Sequence, residues 1–485
     1  MEGWSIFRIG LRQPYKTEHF SEQIDNFSVM KSHNFSASRR KFLQTSVTAA
    51  IAAPLLLGCA GNTRKSNSKL NHACIGVGGM GWFDFLQFKE DPNVQIIALC
   101  DVDAENLKKA SDACPGAHTY ADWRELLETE GDKIDSVNVA VPDHSHFSIA
   151  YAAIQKGKHV YCQKPMCHDV AEVRALTEAS VKHGVITQLG TQVAARMDER
   201  RAVQWLKEGA IGKVKHAYLC SNRPGAIDYR TEGPRPSHRE EPPAKLNWDL
   251  WIGSAPFRPF VPAVYHPTKW RAWQDFGTRW SGDIGCHIFD PVWKGLGLKP
   301  PLSVIAEVQK SWKESPERRA DTWPQGDHIT WMFPGNDLTD ANILPLEWFD
   351  GEFYPPKEIM ELYPGKDYPA ESSMLVGTEG ALLIPHNGTP VLLPESKFIN
   401  YKSPKLEAQN HYYNFVIACL GGPKTASHFK QTGPMTEAIL LGTVAIRVPD
   451  RLLNWDAVNM KFPNDPDVNK YLRRKYRNGW GTAGF

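Results

Sequence analysis

The chain has 485 residues, too many for one hydrophobic core, so two domains are the default expectation. With 42% hydrophobic and 23% charged residues, its composition is that of an ordinary globular protein. A net charge of +2 gives no electrostatic reason to expect nucleic acid as a partner.

Residues 1–59 read as an export signal and not as fold. The stretch "SASRRKFLQTSVTAAIAAPLLLGCAG" sets twin arginines, Arg39 and Arg40, before an Ala-rich apolar run shorter than a membrane span needs. This is the pattern of a twin-arginine signal, and Met30 fits its start. The run closes on Leu57, Gly58 and Cys59 in a lipobox-like ending. Cys59 is therefore the expected lipidation site, with the mature protein periplasmic or anchored to a bacterial membrane. The alternative is a cleaved signal with a chance cysteine. Residues 60–69 form a polar tether.

From residue 70 to 191, strand and helix patterns alternate, as right-handed βαβ units on a parallel sheet do. "HACIGVGGMG" is an apolar run entering a glycine turn, "DFLQFKE" a helix, and "VQIIALCDVD" a strand ending in acid. Two helices, "DAENLKKASDAC" and "YADWRELLET", precede the strand and turn "DSVNVAVPDHSH". A helix, the strand "KHVYCQKP", another helix and the strand "VITQLGTQ" complete the unit. The turn Gly76-Val77-Gly78-Gly79-Met80-Gly81 is GxGxxG between a strand and a helix. Its glycines allow the tight turn, the approach to a pyrophosphate at a helix N-terminus, and close helix–strand packing. The next strand ends at Asp101, 20 residues after Gly81, where an acid meets a ribose 2′-hydroxyl. The combination predicts a dinucleotide. A carboxylate there repels a 2′-phosphate, so NAD is favoured over NADP. Asp101 could equally cap a turn.

Residues 192–485 read differently. A helix and the strand "KVKHAYLCSN" lead into Pro- and Trp-rich loops. The runs "SVIAEVQKSW", "SSMLVGTEGALLI" and "TPVLLP" then suggest a mainly antiparallel sheet, and two amphipathic helices follow. Many of the 16 tryptophans fall in this half, where flat rings suit carbohydrate, although most such rings are core. The nine cysteines show no framework or zinc spacing, and Cys74, Cys100 and Cys162 read as buried small hydrophobes. His144 and His146 lack a further nearby ligand, so no metal is expected. Asp283 and His287, in "GDIGCHIFD", stand four apart. On a helix that is one face, where a pair can share a substrate, or else cap a helix and fill a core.

Three segments together resemble the Gfo/Idh/MocA family of glucose-fructose oxidoreductase and inositol dehydrogenase relatives. Residues 141–146 match its TPxxxH-like turn, with Pro142 and His146 in place and Val141 for the usual Thr. Gln163-Lys164-Pro165 matches its Glu-Lys-Pro with the charge of the Glu lost, and Asp283-Ile284-Gly285-Cys286-His287 matches its D-x-G-x-H. "RLLNWD" and "NKYLRRKYRNGW" look like the exported bacterial branch. The resemblance covers about residues 70–485. It implies an α/β Rossmann domain followed by an α+β domain with an open, mainly antiparallel sheet, the active site between them, and a homodimer or homotetramer.

The resemblance also implies roles. Gly76, Gly78, Gly79, Met80, Gly81, Asp101, Pro142, His146, Gln163 and Lys164 would hold NAD. Lys164, Asp283 and His287 would surround the reacting carbon of a carbohydrate. His287 would be the general base or acid, Asp283 would orient it or hold a hydroxyl, and Lys164 would lower the substrate oxygen's pKa. Gln192, Asn222, Arg223, Tyr265, Arg271 and Trp273 are candidates for substrate contact. The activity expected is oxidation of a secondary hydroxyl of a sugar, glycoside or cyclitol, with a tightly held, recycled cofactor. Two alternatives stay open: an NAD-dependent glycoside hydrolase on the same fold, and a carbohydrate-binding lipoprotein without turnover.

Overall fold

The computed structural model describes residues 69–223, 231, 233–403, 405–482 and 484–485. The predicted signal with Arg39, Arg40 and Cys59, and the tether as far as residue 68, lie outside the described residues. Among the described residues no helix is long and apolar enough to cross a membrane.

The first sheet is built from β1 (Leu70–Ile75), β2 (Val94–Cys100), β3 (His118–Tyr120), β4 (Ser136–Val139), β5 (His159–Cys162) and β6 (Thr187–Leu189). The order is β3-β2-β1-β4-β5-β6 and every pair runs parallel. The strands read as near-continuous apolar runs because helices cover both faces. The crossovers are α1 (Met80–Glu90), α2 (Ala104–Ala113), α3 (Trp123–Thr129), α4 (Asp143–Gln155) and α5 (Val170–Lys182). Strand order reverses between β1 and β4, so a crevice opens at their C-terminal ends, where open α/β sheets bind ligands. The "PDHSH" stretch is not a free turn: Pro142 is the N-cap of α4, and Asp143, His144 and His146 lie in its first turn.

After α6 (Met197–Lys207) comes a second sheet: β7 (Val214–Ser221), β8 (Ser303–Val308), β9 (Asp327–Pro334), β10 (Ile343–Asp350), β11 (Glu371–Gly377), β12 (Ala381–Pro385), β13 (Val391–Leu393) and β14 (Leu453–Asn454). Its order is β13-β12-β11-β7-β10-β9-β8-β14, antiparallel except for the parallel pair β7–β10. Open-ended and not closed into a barrel, it is the open, mainly antiparallel sheet expected of the second domain, mixed only at that one pair. Buried and half-buried residues alternate strictly along β9, so one face packs inward and the other is open.

The inward face is covered by α7 (Arg279–Asp283), α8 (Gly285–Leu296) and the long α10 (Phe429–Arg447), which follows α9 (His411–Cys419). Helix α10 is buried along nearly its whole length because it lies between α5 of the first sheet and β8 and β9 of the second. Arg174 of α5 makes a two-pronged bond to Glu437 of α10, 2.7 Å on each arm. The C-terminal run also ties back: Arg474 bonds Glu172 at 2.8 Å and donates to the carbonyl of His144.

Candidate active site

The glycine turn has the shape of a pyrophosphate cradle. A Cβ at Gly76 would stand 2.2 Å from the Ala140 carbonyl oxygen, and one at Gly81 2.2 Å from the Gly76 carbonyl oxygen. Only glycine fits at either position. Gly79 caps α1 without any side-chain bond; the Gly81 and Trp82 N–H groups turn back to the Gly78 and Gly79 carbonyls, and the positive end of the helix faces the turn, where it favours an anion. Met80 opens the helix and is largely exposed. Asp101 lies at the end of β2, and its carboxylate accepts from the Val77 N–H at 2.9 Å and the Asp103 N–H at 2.8 Å. Burial raises its pKa, and these two N–H groups work against that rise. Asp101 thus fastens the glycine turn to β2, with the Asn106 side chain as a further donor to it. These residues fit a dinucleotide.

Further along the same edge, Lys164 leaves the end of β5 and donates to Asp283 at 3.0 Å. Arg271 approaches the other oxygen of Asp283 at 3.4 Å. Burial alone would raise the Asp283 pKa, but Lys164 and Arg271 outweigh it and hold the carboxyl below its ordinary range. Behind this group Asp143 accepts from the N–H and hydroxyl of Thr278, at 3.1 and 2.8 Å. Burial, then repulsion from Asp283, pushes its pKa up. One carboxylate of the two is therefore charged and the other inclined to keep a proton. The ring nitrogens of His146 each lie 2.7 Å from a carbonyl, those of Pro165 and Val141. Burial lowers its pKa to about 4, against the two carbonyls, which favour the protonated ring. His146 joins the turn before α4 to the residue after Lys164.

Asp283 and His287 do not share one continuous helix, since Ile284 separates α7 from α8. Asp283 turns to Lys164 and Arg271, while His287 faces a small cleft, open to solvent and lined also by Arg196, Glu199, Ser373 and His386. The cleft touches His287 but does not reach Lys164 or Asp283. The His287 Nδ1 is buried without a hydrogen-bond partner. Burial, followed by His386 and Lys164, keeps this imidazole neutral far below its ordinary pKa. The His386 ring centroid is 5.0 Å away. Among the predicted contact residues, Arg223 lies over the Trp280 ring at 5.0 Å, and Gln192 donates to Tyr161 and Tyr412 at 3.2 and 3.4 Å. Asn222 donates to the Phe353 carbonyl at 3.0 Å. Tyr265 and Trp273 are not brought to the cleft. Both are 1% exposed in a cluster with Trp248, Trp251 and Phe276, and the Trp273 N–H is taken by the Val264 carbonyl. Rings so numerous in one loop region bury one another before they can face a ligand.

Residues 70–191 match the oxidoreductase family with an NAD-binding Rossmann fold, and residues 227–330 its C-terminal alpha/beta domain. The chain belongs to the Gfo/Idh/MocA family. A glycosyl hydrolase family 109 protein of Stenotrophomonas maltophilia is 29% identical over 193 residues, 38% of this chain and 41% of that one. A D-apiose dehydrogenase of Paraburkholderia graminis is 29% identical over 150 residues, 31% and 40% of the two chains. The chain thus spans less than half the length of these curated relatives. An inositol dehydrogenase homologue from Azotobacter vinelandii, solved with NADH and myo-inositol, superposes with a TM-score of 0.55. It is 15% identical and covers 80% of this chain and 98% of its own, a likeness of fold.

Within the Gfo/Idh/MocA pattern, the departure at Gln163 has a counterpart that the sequence pattern did not single out. The Gln163 amide donates to both carboxylate oxygens of Asp84, at 3.0 and 2.8 Å, and the Tyr412 hydroxyl donates to one of them at 2.6 Å. Asp84 sits on α1, is fully buried, and burial raises its pKa to about 7. The Gln163 amide thus faces a carboxylate on the neighbouring helix. Nothing local marks Asp84: one acid in an apolar helix looks like a solvated position. His386 and Arg196 were missed because they reach the cleft from separate, distant stretches of chain.

Proposed function

We propose that the chain is an NAD-dependent oxidoreductase acting on a secondary hydroxyl of a sugar, glycoside or cyclitol. The observation that carries this reading is the convergence of Lys164, Asp283 and Arg271 at the C-terminal edge of the NAD-binding sheet, beside a neutral His287 facing a cleft. The glycine turn, Asp101, Pro142, His146 and Lys164 would hold the nucleotide, which when bound supplies the hydride acceptor. The chain's own residues manage the proton. Asp283 holds Lys164 in place through one N–H at 3.0 Å, and another N–H of the same ammonium can donate to the substrate oxygen and ease loss of its proton. His287, unprotonated at working pH, can take that proton. Lys164→Ala is expected to lower turnover about 100- to 10,000-fold, read as NADH absorbance on whichever sugar is active. A variant indistinguishable from wild type on every active substrate would instead favour a carbohydrate-binding protein without turnover.

The likeness to a glycosyl hydrolase family 109 protein favours a second reading on the same residues. A ring hydroxyl is oxidised, the acidified neighbouring C–H lets the aglycone leave, water adds, and the ring is reduced back. A chromogenic glycoside screen separates the two. Net release of the chromophore with no lasting change in NADH absorbance supports hydrolysis, and a stoichiometric rise supports net oxidation.

The twin-arginine pattern supports export with the nucleotide already bound, since that route carries folded proteins. In this reading NAD is resident and recycled, Cys59 carries lipid at a bacterial membrane, and the open face of the second sheet joins copies in a dimer or tetramer.

A further inference from the structure

The second domain does more than face the active-site end of the nucleotide crevice. One continuous stretch, residues 243–283, meets the C-terminal edge of the first sheet at three places. At β5, Lys164 meets Asp283, whose other oxygen Arg271 approaches. At β4, Thr278 bonds Asp143, while the Phe276 and Trp251 carbonyls take the N–H and a ring nitrogen of His144, at 3.2 and 3.0 Å. At β2, where Asp101 stands, residues 245–247 lie antiparallel to residues 102–104. The Ala104 N–H donates to the Lys245 carbonyl at 2.8 Å, the Asn247 N–H donates to the Val102 carbonyl at 2.9 Å, and Asp103 and Leu246 pair between them.

This third contact has its own latch. Lys245 bonds Glu105 at 2.6 Å and lies 3.8 Å from Asp103. Leu246 is 5% exposed and packs in the cluster that also takes Val102. The Asp103 N–H, inside the clasped turn, is one of the donors that fix the Asp101 carboxylate. The clasp therefore steadies the acid that meets the ribose, and it does so from a part of the chain remote from the Rossmann unit.

We propose that residues 245–247 are a working part of the nucleotide site: a clasp that closes its adenosine end and slows the escape of NAD. The proposal rests on the NAD reading and deepens it, because it assigns retention of the nucleotide to named residues. With contacts at β2, β4 and β5, the bound dinucleotide would lie under one covalently continuous cover and could leave only where that cover lifts. The adenosine end is the place to lift it, since that contact is one short ladder, one buried leucine and the surface ion pairs of a single lysine.

The test uses the full chain loaded with the fluorescent analogue nicotinamide 1,N6-ethenoadenine dinucleotide and chased with excess NAD. Lys245→Glu sets a negative charge against Glu105 and Asp103, and Lys245 is exposed enough for the fold to tolerate the change. Release is expected to be about tenfold faster than from wild type. Glu105→Lys combined with Lys245→Glu restores the opposite charges and is expected to bring the rate back to within about threefold. A Lys245→Glu rate within about twofold of wild type overturns the clasp, as does a double variant that releases as fast as the single one. The resident-cofactor reading fails separately, if wild type itself empties within seconds; the ratio between variant and wild type still decides the clasp.

Discussion

Replacing Arg279 with alanine is expected to cost the fold about 3–5 kcal/mol, because it removes the guanidinium that two buried carboxylates share. Arg279 is 3% exposed; its Nε donates to Asp327 at 2.7 Å and its Nη2 to Asp350, and both acids are fully buried. Arg279 also holds φ at +68°, a left-handed conformation that a side chain of this size adopts at a cost of about 1 kcal/mol or more. The chain accepts that strain because it aims the guanidinium under the sheet at the residue that opens α7, four positions before Asp283. Glycine at 279 would relieve the strain and lysine would keep the charge, yet neither supplies the two-pronged fork. Both should therefore remain well below wild type in urea unfolding. An Arg279→Gly variant as stable as wild type would show that strain relief, and not the ion cluster, dominates at this position. Because α7 carries Asp283, loss of activity is expected at temperatures where the variant is still folded.

Much of the first domain was legible because its signals are local. A strand, a GxGxxG turn, a helix and an acid at the end of the next strand are consecutive in sequence and adjacent in space. Lys164, Asp283 and His287 could be picked out only through the ordered motifs, and the structure adds what motifs do not carry, that Asp283 turns to Lys164 and Arg271 and not to His287. The second sheet was less legible. Its central strands β9 and β10 contain or adjoin proline and glycine in "WMFPGNDL" and "ILPLEWFD", which mask the alternation, and the parallel β7–β10 pair joins segments more than 100 residues apart. Tyr265 and Trp273 show the limit of reading side chains by type. An exposed ring that stacks on sugar and a buried ring that stacks on other rings have the same sequence signature, and only the packing of residues 246–276 separates them. Asp84 shows the converse, since its role follows from a residue 79 positions away.

The Asp84–Gln163 pair yields the second large effect. Gln163→Glu would place two carboxyl groups in contact at a site where Asp84 is already driven to a pKa of about 7 by burial. Two acids so placed cannot both ionise, so the pair would trap a proton, with a cost of about 2–4 kcal/mol at neutral pH. The expected result is a lower urea midpoint and weaker turnover, since residue 163 precedes Lys164 directly. Asp84→Asn made together with Gln163→Glu reverses the polarity of the bond: the amide moves to α1 and the carboxylate to β5, where the family pattern has Glu. The double variant should recover most of the loss, a coupling of about 1–3 kcal/mol between the two positions. Asp84→Asn alone has a signed pH signature. In wild type the folded Asp84 keeps its proton up to a pKa of about 7, whereas the unfolded chain releases it near ~3.9. The stabilisation that this proton lends the fold is complete below the lower value and fades as pH rises towards the upper one. The amide does not titrate, so the stability of the variant relative to wild type should climb between about pH 4 and pH 7 and level off above. A difference that stays flat with pH would mean that Asp84 is ionised throughout, and a double variant no better than Gln163→Glu would mean that the two side chains act independently.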